Sequence, residues 1–187
     1  SIPFASRYRM CDFILSSMVH SGIDNISIIV RKNYHSLLDH LGAGREWDLV
    51  RKNGGLNIVP PFAQKQVKVF EGRIEALESL RGYLLKQPQK YVIMTDANIA
   101  INFDFNELLD AHIMMYRKQE IPKAFIRQSR DRMDLYYALG MNGDRVSKIY
   151  INPTEEGEMN FSMNIYVVER EFLIHMIDDA YVHGHTY

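Results

Sequence analysis

Residues 3–30 read PFASRYRMCDFILSSMVHSGIDNISIIV, and this stretch carries the clearest structural pattern in the chain. Apolar residues recur there at intervals of three and four positions, as on one face of a helix: Met10, Phe13, Ile14 and Met18. Gly22 predicts the end of that helix, because glycine enters the left-handed conformation without steric cost. The β-branched run at 26–30 then predicts a buried strand. The pattern therefore predicts a helix that leads directly into a strand, with no strand before the helix.

Three charged residues stand close together at the start of this predicted helix: Arg7, Arg9 and Asp12. Two cations and a carboxylate at one helix end make that end a candidate charged site. Their position alone does not assign a chemistry to them.

Helix and strand patterns alternate along the rest of the chain. Besides the first helix, helices are predicted over 34–41, after Gly72, over 105–117 and over 169–180. Further strands are predicted at 56–59, 67–70, 90–95, 123–128, 137–141, 146–151 and 161–168. Asn142-Gly143 predicts a type I′ hairpin turn, in which both central residues need positive φ. Alternation with apolar strands predicts an α/β domain with a mainly parallel, mixed sheet and helices on both faces.

Composition narrows the class of protein. The chain has 187 residues and a formal net charge of −1, which gives no electrostatic case for binding nucleic acid or an anionic membrane surface. Its single cysteine, Cys11, excludes an internal disulfide framework and fits a reducing cytosol. No apolar run approaches the length of a membrane span, so we expect a cytoplasmic protein. The chain lacks the GxGxxG, Walker and GxSxG motifs that would indicate a dehydrogenase, a phosphate-loop enzyme or a serine hydrolase.

Asp96 is the first functional candidate from position alone. It follows the apolar strand predicted at 90–95, and ligands of parallel α/β sheets bind beyond the carboxyl ends of the strands. A carboxylate at such an end is able to hold a divalent cation against a phosphate. A helix-capping or loop aspartate is the alternative, and the position leaves both open.

Five segments, in this order, resemble the sugar-nucleotide pyrophosphorylases: FASRYRMCDFILSSMVHSGI, VFEGRIEAL, YVIMTDANI, KIYINP and FSMNIYVV. The resemblance covers nearly the whole chain and is strongest to the bacterial glucose-1-phosphate adenylyltransferases. Within them the chain is most similar to the divergent D-type, regulatory subunit of glycogen synthesis. The resemblance implies a Rossmann-like nucleotidyltransferase fold and the reaction of ATP with glucose 1-phosphate, which yields ADP-glucose and pyrophosphate.

The resemblance also implies roles for individual residues. Asp96 matches the motif that binds Mg²⁺ and is expected to be catalytic together with Arg7, which replaces a lysine of the family. A second metal ligand is expected outside this chain. Asn152 stands where the family has a lysine that grips the sugar phosphate. The expected substrate-binding residues are Gly72, Glu75, Asn152, Ser162 and Asn164. Arg9 and Asp12 match a motif for which a structural role is expected.

The same resemblance sets the expected domain organisation and assembly. Residues 1–187 are expected to be a partial nucleotidyltransferase domain, truncated at both ends. It would lack the first strand, the nucleotide loop and the C-terminal β-helix domain. We expect a hetero-oligomer, a tetramer, with a catalytic adenylyltransferase subunit. Three hypotheses stay open: a regulatory or weakly active subunit, a competent enzyme that uses Arg7 and Arg73 as substitutes, and a non-catalytic scaffold or ligand-binding subunit.

Overall fold

A computed structural model describes residues 2–5, 7–30, 34–60, 73–117, 137–143, 145–153 and 160–183, without the side chains of 73 and 115–117. The helices are α1 (Met10–His20), α2 (His35–Leu41), α3 (Arg73–Leu84), α4 (Phe105–Arg117) and α5 (Arg170–Val182), with a 3-10 turn at Arg45–Trp47. The strands are β1 (Pro3–Phe4), β2 (Tyr8–Arg9), β3 (Asn25–Ile29), β4 (Gly55–Val59), β5 (Tyr91–Met94), β6 (Tyr137–Asn142), β7 (Arg145–Ile151), β8 (Asn160–Phe161) and β9 (Tyr166–Glu169).

The described chain separates into two compact units. One contains Leu15–Val92 and Val168–Tyr187, and the other contains Ile2–Ile14 and Ile93–Val167. The boundary between the units falls inside α1, β5 and β9. β5 and β9 are hydrogen-bonded neighbours, so each unit includes part of this strand pair.

The first unit contains a parallel strand pair and two packed helices. β3 pairs in parallel with β4, from Asn25 opposite Gly55 to Ile29 opposite Val59. α3 packs against α5, and the Arg81 side chain forms an ion pair with Asp178 across this contact. Its buried apolar side chains include Ile26, Val59, Leu80, Leu84, Leu173, Ile174 and Ile177.

Arg170, the first residue of α5, ties that helix to the end of α3 and the segment that follows it. Its Nε donates to the Gln89 carbonyl oxygen at 2.9 Å, and a terminal guanidinium nitrogen donates to the Leu84 carbonyl oxygen at 3.2 Å. The Arg170 backbone amide donates to the Lys90 carbonyl oxygen at 2.7 Å. A cationic side chain here satisfies a helix-terminal carbonyl that has no partner inside α3.

The second unit contains an antiparallel three-stranded sheet in the order β7-β6-β8. β6 pairs with β7 from Tyr137 opposite Ile151 to Asn142 opposite Arg145, and with β8 at Ala138 opposite Phe161. The long helix α4 belongs to this unit, and its first residue, Phe105, is almost fully buried. Phe103 contacts Phe105 edge to face, with 5.3 Å between ring centroids.

The start of α1 differs from the sequence expectation. A short antiparallel hairpin, β1 with β2, comes before the helix, which begins only at Met10. Arg9 is therefore the residue that precedes the helix, and its backbone amide donates to Asp12 Oδ2 at 2.9 Å. An acidic side chain in the first turn that reaches back to this amide is half of a capping box. The geometry supports a structural role for buried Asp12.

One further strand prediction and one turn prediction are corrected. The strand expected over 161–168 is split into β8 and β9, because Asn164 has φ 55° and interrupts the extended backbone. The turn expected at Asn142-Gly143 does not have Asn142 as a central residue. Asn142 is still paired with Arg145 and has no positive φ, so Gly143, at φ 58°, is the first residue of the turn.

The remaining predicted elements with described residues are present, with ends that differ by a few residues at most. The strands expected at 67–70 and 123–128 lie outside the described residues. The strand pairing is mixed, as expected: β3 pairs with β4 in parallel, whereas β1 with β2, and β6 with β7 and β8, pair antiparallel. One mainly parallel sheet with helices on both faces stays an expectation. None of the described helices is long and apolar enough to cross a membrane.

Candidate functional site

Polar side chains near the loop between β8 and β9 form a cluster around Asp96. Asp96 lies two residues after β5, and the loop of residues 162–165 joins β8 to β9. Asn164 Nδ2 donates a hydrogen bond to Asp96 Oδ2 at 2.9 Å. We call Asp96, Ser162, Asn164 and Tyr166 the Asp96 cluster.

Three hydrogen bonds within the cluster fix the position of Asn164. Its backbone amide donates to Ser162 Oγ at 3.1 Å, and the Tyr166 hydroxyl donates to Asn164 Oδ1 at 3.1 Å. Ser162 Oγ also lies 3.4 Å from Asn164 Oδ1, where its hydroxyl donates. The Ser162 backbone amide donates to the Tyr137 carbonyl oxygen at 2.8 Å, which anchors the loop to β6. The loop is therefore held at both its backbone and its side chains.

The chemistry of the partners sets the orientation of the Asn164 side chain. An ionised carboxylate only accepts hydrogen bonds, so the amide must present its NH₂ group to Asp96. The amide oxygen then faces the two hydroxyl donors, Tyr166 and Ser162. The left-handed backbone at Asn164 is compatible with asparagine, which enters this region more readily than other residues with a side chain.

Sequence reasoning did not identify Tyr166 as part of this site. Its side chain remains 39 % exposed, and its hydroxyl is one of the two donors to Asn164 Oδ1. A signal was present, because polar residues alternate at 162, 164 and 166. This spacing would place the three side chains on one side of the single strand that the sequence predicts over 161–168, although the backbone is interrupted at Asn164.

The hydrogen bonds described above for the Asp96 cluster involve none of the other predicted site residues. Arg7 lies on the exposed turn between β1 and β2, and no such contact links its side chain to Asp96 within the described chain. Asn152 is exposed, directly follows β7 and has φ 46°. Glu75 is half-buried in the first turn of α3, in the first unit. Gly72 and the Arg73 side chain lie outside the described part.

A family model described as Nucleotidyl transferase matches residues 1–184. This chain belongs to the nucleotidyl transferase family. A solved structure has a similar fold. It is that of a Bacillus anthracis protein described as a glucose-1-phosphate thymidylyltransferase, and it superposes on this chain with a TM-score of 0.62 at 15 % sequence identity. The superposition covers 99 % of this chain and 74 % of the other. At this identity the likeness supports the α/β fold alone.

Sequence comparison within the family confirms the resemblance inferred from the five segments. The glycogen biosynthesis protein GlgD of Geobacillus stearothermophilus is 41 % identical over 114 residues, and GlgD of Bacillus subtilis is 38 % identical over 113. The glucose-1-phosphate adenylyltransferase of Bacillus mycoides is 33 % identical over 114 residues. Each match covers 60 % of this chain, and 33 %, 33 % and 30 % of the respective relatives. The chain thus spans about a third of the length of the curated relatives it matches.

Nucleotidyl transferases generally use Mg²⁺, so the fit of this ion to the cluster is a chemical question. Mg²⁺ takes oxygen ligands in near-octahedral geometry. At Asp96 the side chain of Asn164 presents a hydrogen-bond donor to Oδ2. Within the described ranges there is no group of three or more His, Cys, Asp or Glu side chains that could hold a metal ion. As arranged, the described side chains do not fit Mg²⁺ at Asp96, and the metal-binding role of Asp96 stays a prediction from the resemblance.

Proposed function

We propose that this chain is part of a subunit of a glucose-1-phosphate adenylyltransferase that acts in glycogen biosynthesis. The subunit is regulatory, weakly active or inactive alone, and it assembles with a catalytic subunit in a hetero-oligomer, expected to be a tetramer. The observation that carries the proposal is the identity of 41 % and 38 % to two GlgD proteins, against 33 % to the adenylyltransferase of Bacillus mycoides over a stretch of the same length. A cytoplasmic location is part of the proposal and is supported by cysteine usage, since Cys11 is the single cysteine of the chain and its thiol is buried.

The reaction of the proposed enzyme places two anions in contact. A sugar phosphate attacks the α-phosphorus of ATP in line, and catalysis of such transfers depends on positioning and on cations that neutralise charge. Within this proposal, Arg7 supplies a cation near the phosphates. Mg²⁺ would supply charge neutralisation at the phosphates when bound, and its binding at Asp96 rests on the resemblance alone. Gly72, Glu75, Ser162 and Asn164 are proposed as substrate-binding residues, as the resemblance implies.

Position 152 supports low intrinsic activity. The resemblance implies a lysine there that grips the sugar phosphate, and Asn152 carries no charge. A charge-assisted hydrogen bond to a phosphate is worth about 1.5–3 kcal/mol. Its loss weakens sugar-phosphate binding by about tenfold to a hundredfold. ATP and glucose 1-phosphate are therefore proposed as ligands of the assembly, bound weakly by this subunit alone.

The rate of ADP-glucose formation tests the proposal. We expect the full-length protein alone to be slower than its catalytic partner by about tenfold to a hundredfold, the size of one lost phosphate contact. Mixing the two should change the partner's rate or its response to effectors. A rate near that of the catalytic subunit from the isolated full-length protein would instead support a competent enzyme. No binding of ATP or glucose 1-phosphate, with no effect on the partner, would support a scaffold.

A further inference from the structure

We infer that Asn164 is a positioning residue that holds the Asp96 carboxylate in a hydrogen-bonded state and weakens the binding of divalent cations to it. The inference rests on the proposed function, because it supplies a structural reason for weak activity. It concerns a different property, the affinity of Asp96 for a cation, and can be tested separately.

The argument starts from the direction of the amide. Asn164 Nδ2 lies 2.9 Å from Asp96 Oδ2, which is an ordinary distance for a charge-assisted hydrogen bond. A cation that binds Oδ2 would lie close to this NH₂ group, whose hydrogens carry the same sign of charge as the ion, so the two would repel each other. Turning the amide by half a rotation would offer its oxygen to the cation. That rotation would break the hydrogen bond from Tyr166 and turn the NH₂ group towards both hydroxyls.

The backbone adds a second constraint. The Asn164 backbone has φ 55°, and its backbone amide donates a hydrogen bond to Ser162 Oγ. These two constraints fix the position of the Asn164 Cβ atom and limit how far the side chain can move. Asp96 is itself half-buried, which limits the water available to replace the Asn164 contact. A hydrogen bond to a charged group contributes enough to change an equilibrium constant by about tenfold or more. Cation binding at Asp96 should be weakened by about this factor.

Mn²⁺ titration of the full-length protein, followed by electron paramagnetic resonance and checked by competition with Mg²⁺, measures the affinity directly. The informative variant is Asn164→Gly, since glycine is compatible with φ 55° and removes the amide. We expect Asn164→Gly to bind Mn²⁺ about tenfold more tightly than the wild type. Asp96→Asn should abolish the weak Mn²⁺ binding of the wild type and also the gain in the Asn164→Gly background. This double-variant cycle assigns the gain to Asp96.

Two further variants keep the inference testable if Asn164→Gly does not fold. Asn164→Asp keeps the shape of the side chain and replaces the donor by a second carboxylate, so Mn²⁺ affinity should rise by more than in Asn164→Gly. Tyr166→Phe removes a hydroxyl that orients the amide and should give a smaller gain. A side chain with a purely structural role would change stability in these variants without changing Mn²⁺ affinity.

One pattern of Mn²⁺ affinities would contradict the inference. If the wild type binds Mn²⁺ as tightly as Asn164→Gly, and Asp96→Asn abolishes that binding, Asn164 does not protect the carboxylate and the inference is wrong. That outcome would leave the proposed function standing if the wild-type protein still makes little ADP-glucose alone. High activity of the wild type alone would contradict the proposed function, whatever the Mn²⁺ affinities are.

Discussion

Asn164 Nδ2 and Asp96 Oδ2 are joined by a 2.9 Å hydrogen bond across 68 positions of the sequence. One residue follows β5 and the other lies in the loop before β9, so this contact fixes the loop to the end of a strand. Every side-chain hydrogen bond of the cluster described above involves Asn164. We therefore expect the cluster to respond to substitution as a unit.

Ser162→Ala tests the stability of the loop. The substitution removes the oxygen that accepts the Asn164 backbone amide and should lower the free energy of unfolding by about 1–2 kcal/mol, as expected for a polar group left without its partner. Urea denaturation of the full-length protein measures the loss. Ser147→Ala is the matched control, because Ser147 is exposed and donates to the Gly140 carbonyl oxygen at the surface. The control should change stability by less than about 0.5 kcal/mol, and equal losses would contradict the role given to Ser162.

Asn152→Lys tests the assignment of position 152. A lysine should raise the affinity of the full-length protein for glucose 1-phosphate by about tenfold or more, measured by calorimetric titration. It should also lower stability by about 1 kcal/mol, because Asn152 has φ 46° and lysine is unfavourable in left-handed backbone. Asn152→Gln carries the same backbone cost without the charge and should not raise the affinity. Unchanged affinity in the lysine variant would mean that the role assigned to this position is wrong.

The sequence predicts periodic elements well and the site poorly. The spacing of apolar residues predicts α4 over the same residues that the structure shows, Phe105–Arg117. Hydrophobic patterns contain no information on side-chain capping, and for this reason the first residue of α1 was not predicted correctly. Asp12 binds the Arg9 amide and begins the helix at Met10.

The arrangement of the Asp96 cluster could not be predicted from local sequence patterns. Residues 161–168 have the composition of one strand, and the break depends on contacts of Asn164 with Ser162 and with distant Asp96. Asp96 was expected from its position at a strand end and from a resemblance, and Ser162 and Asn164 were expected from the resemblance. Their arrangement in one hydrogen-bonded cluster is a tertiary property that local patterns do not contain.

Gly55→Ala tests a tight approach at the start of β4. Gly55 has φ 82°, and a Cβ atom there would collide with the Leu49 carbonyl oxygen. Gly22 has a similar φ of 77° with nothing within 4 Å of an added Cβ, so Gly22→Ala isolates the backbone cost. We expect Gly22→Ala to lose about 1–2 kcal/mol of stability, and Gly55→Ala to lose about 1–3 kcal/mol more. Equal losses in urea denaturation would show that the backbone near Leu49 relaxes freely.

The Arg81–Asp178 pair between α3 and α5 should make stability fall in acid. The hydrogen bond and the charge of Arg81 lower the pKa of Asp178 below its ordinary value. The stabilisation is therefore complete above the unfolded-state pKa of about 4 and is lost as pH falls through the lower pKa of the folded state. Urea denaturation at a series of pH values should show a shallower acid decline in Asp178→Asn than in the wild type. Asp39→Asn is the control, because Asp39 is at an exposed position of α2, and this variant should lose stability in acid as the wild type does. If Asp178→Asn also loses stability in acid as steeply as the wild type, the Arg81–Asp178 pair does not cause the acid dependence.

The regulatory assignment is tested most directly by removing Asp96 from this subunit alone. The hetero-oligomer is assembled from its catalytic subunit and full-length protein with Asp96→Asn, and its maximal rate of ADP-glucose formation is compared with that of the wild-type assembly. The substitution keeps the size of the side chain and an oxygen that accepts from Asn164. If this subunit regulates and does not catalyse, the two maximal rates are equal. A large fall in the rate of the variant assembly would show that Asp96 takes part in catalysis and would contradict the account.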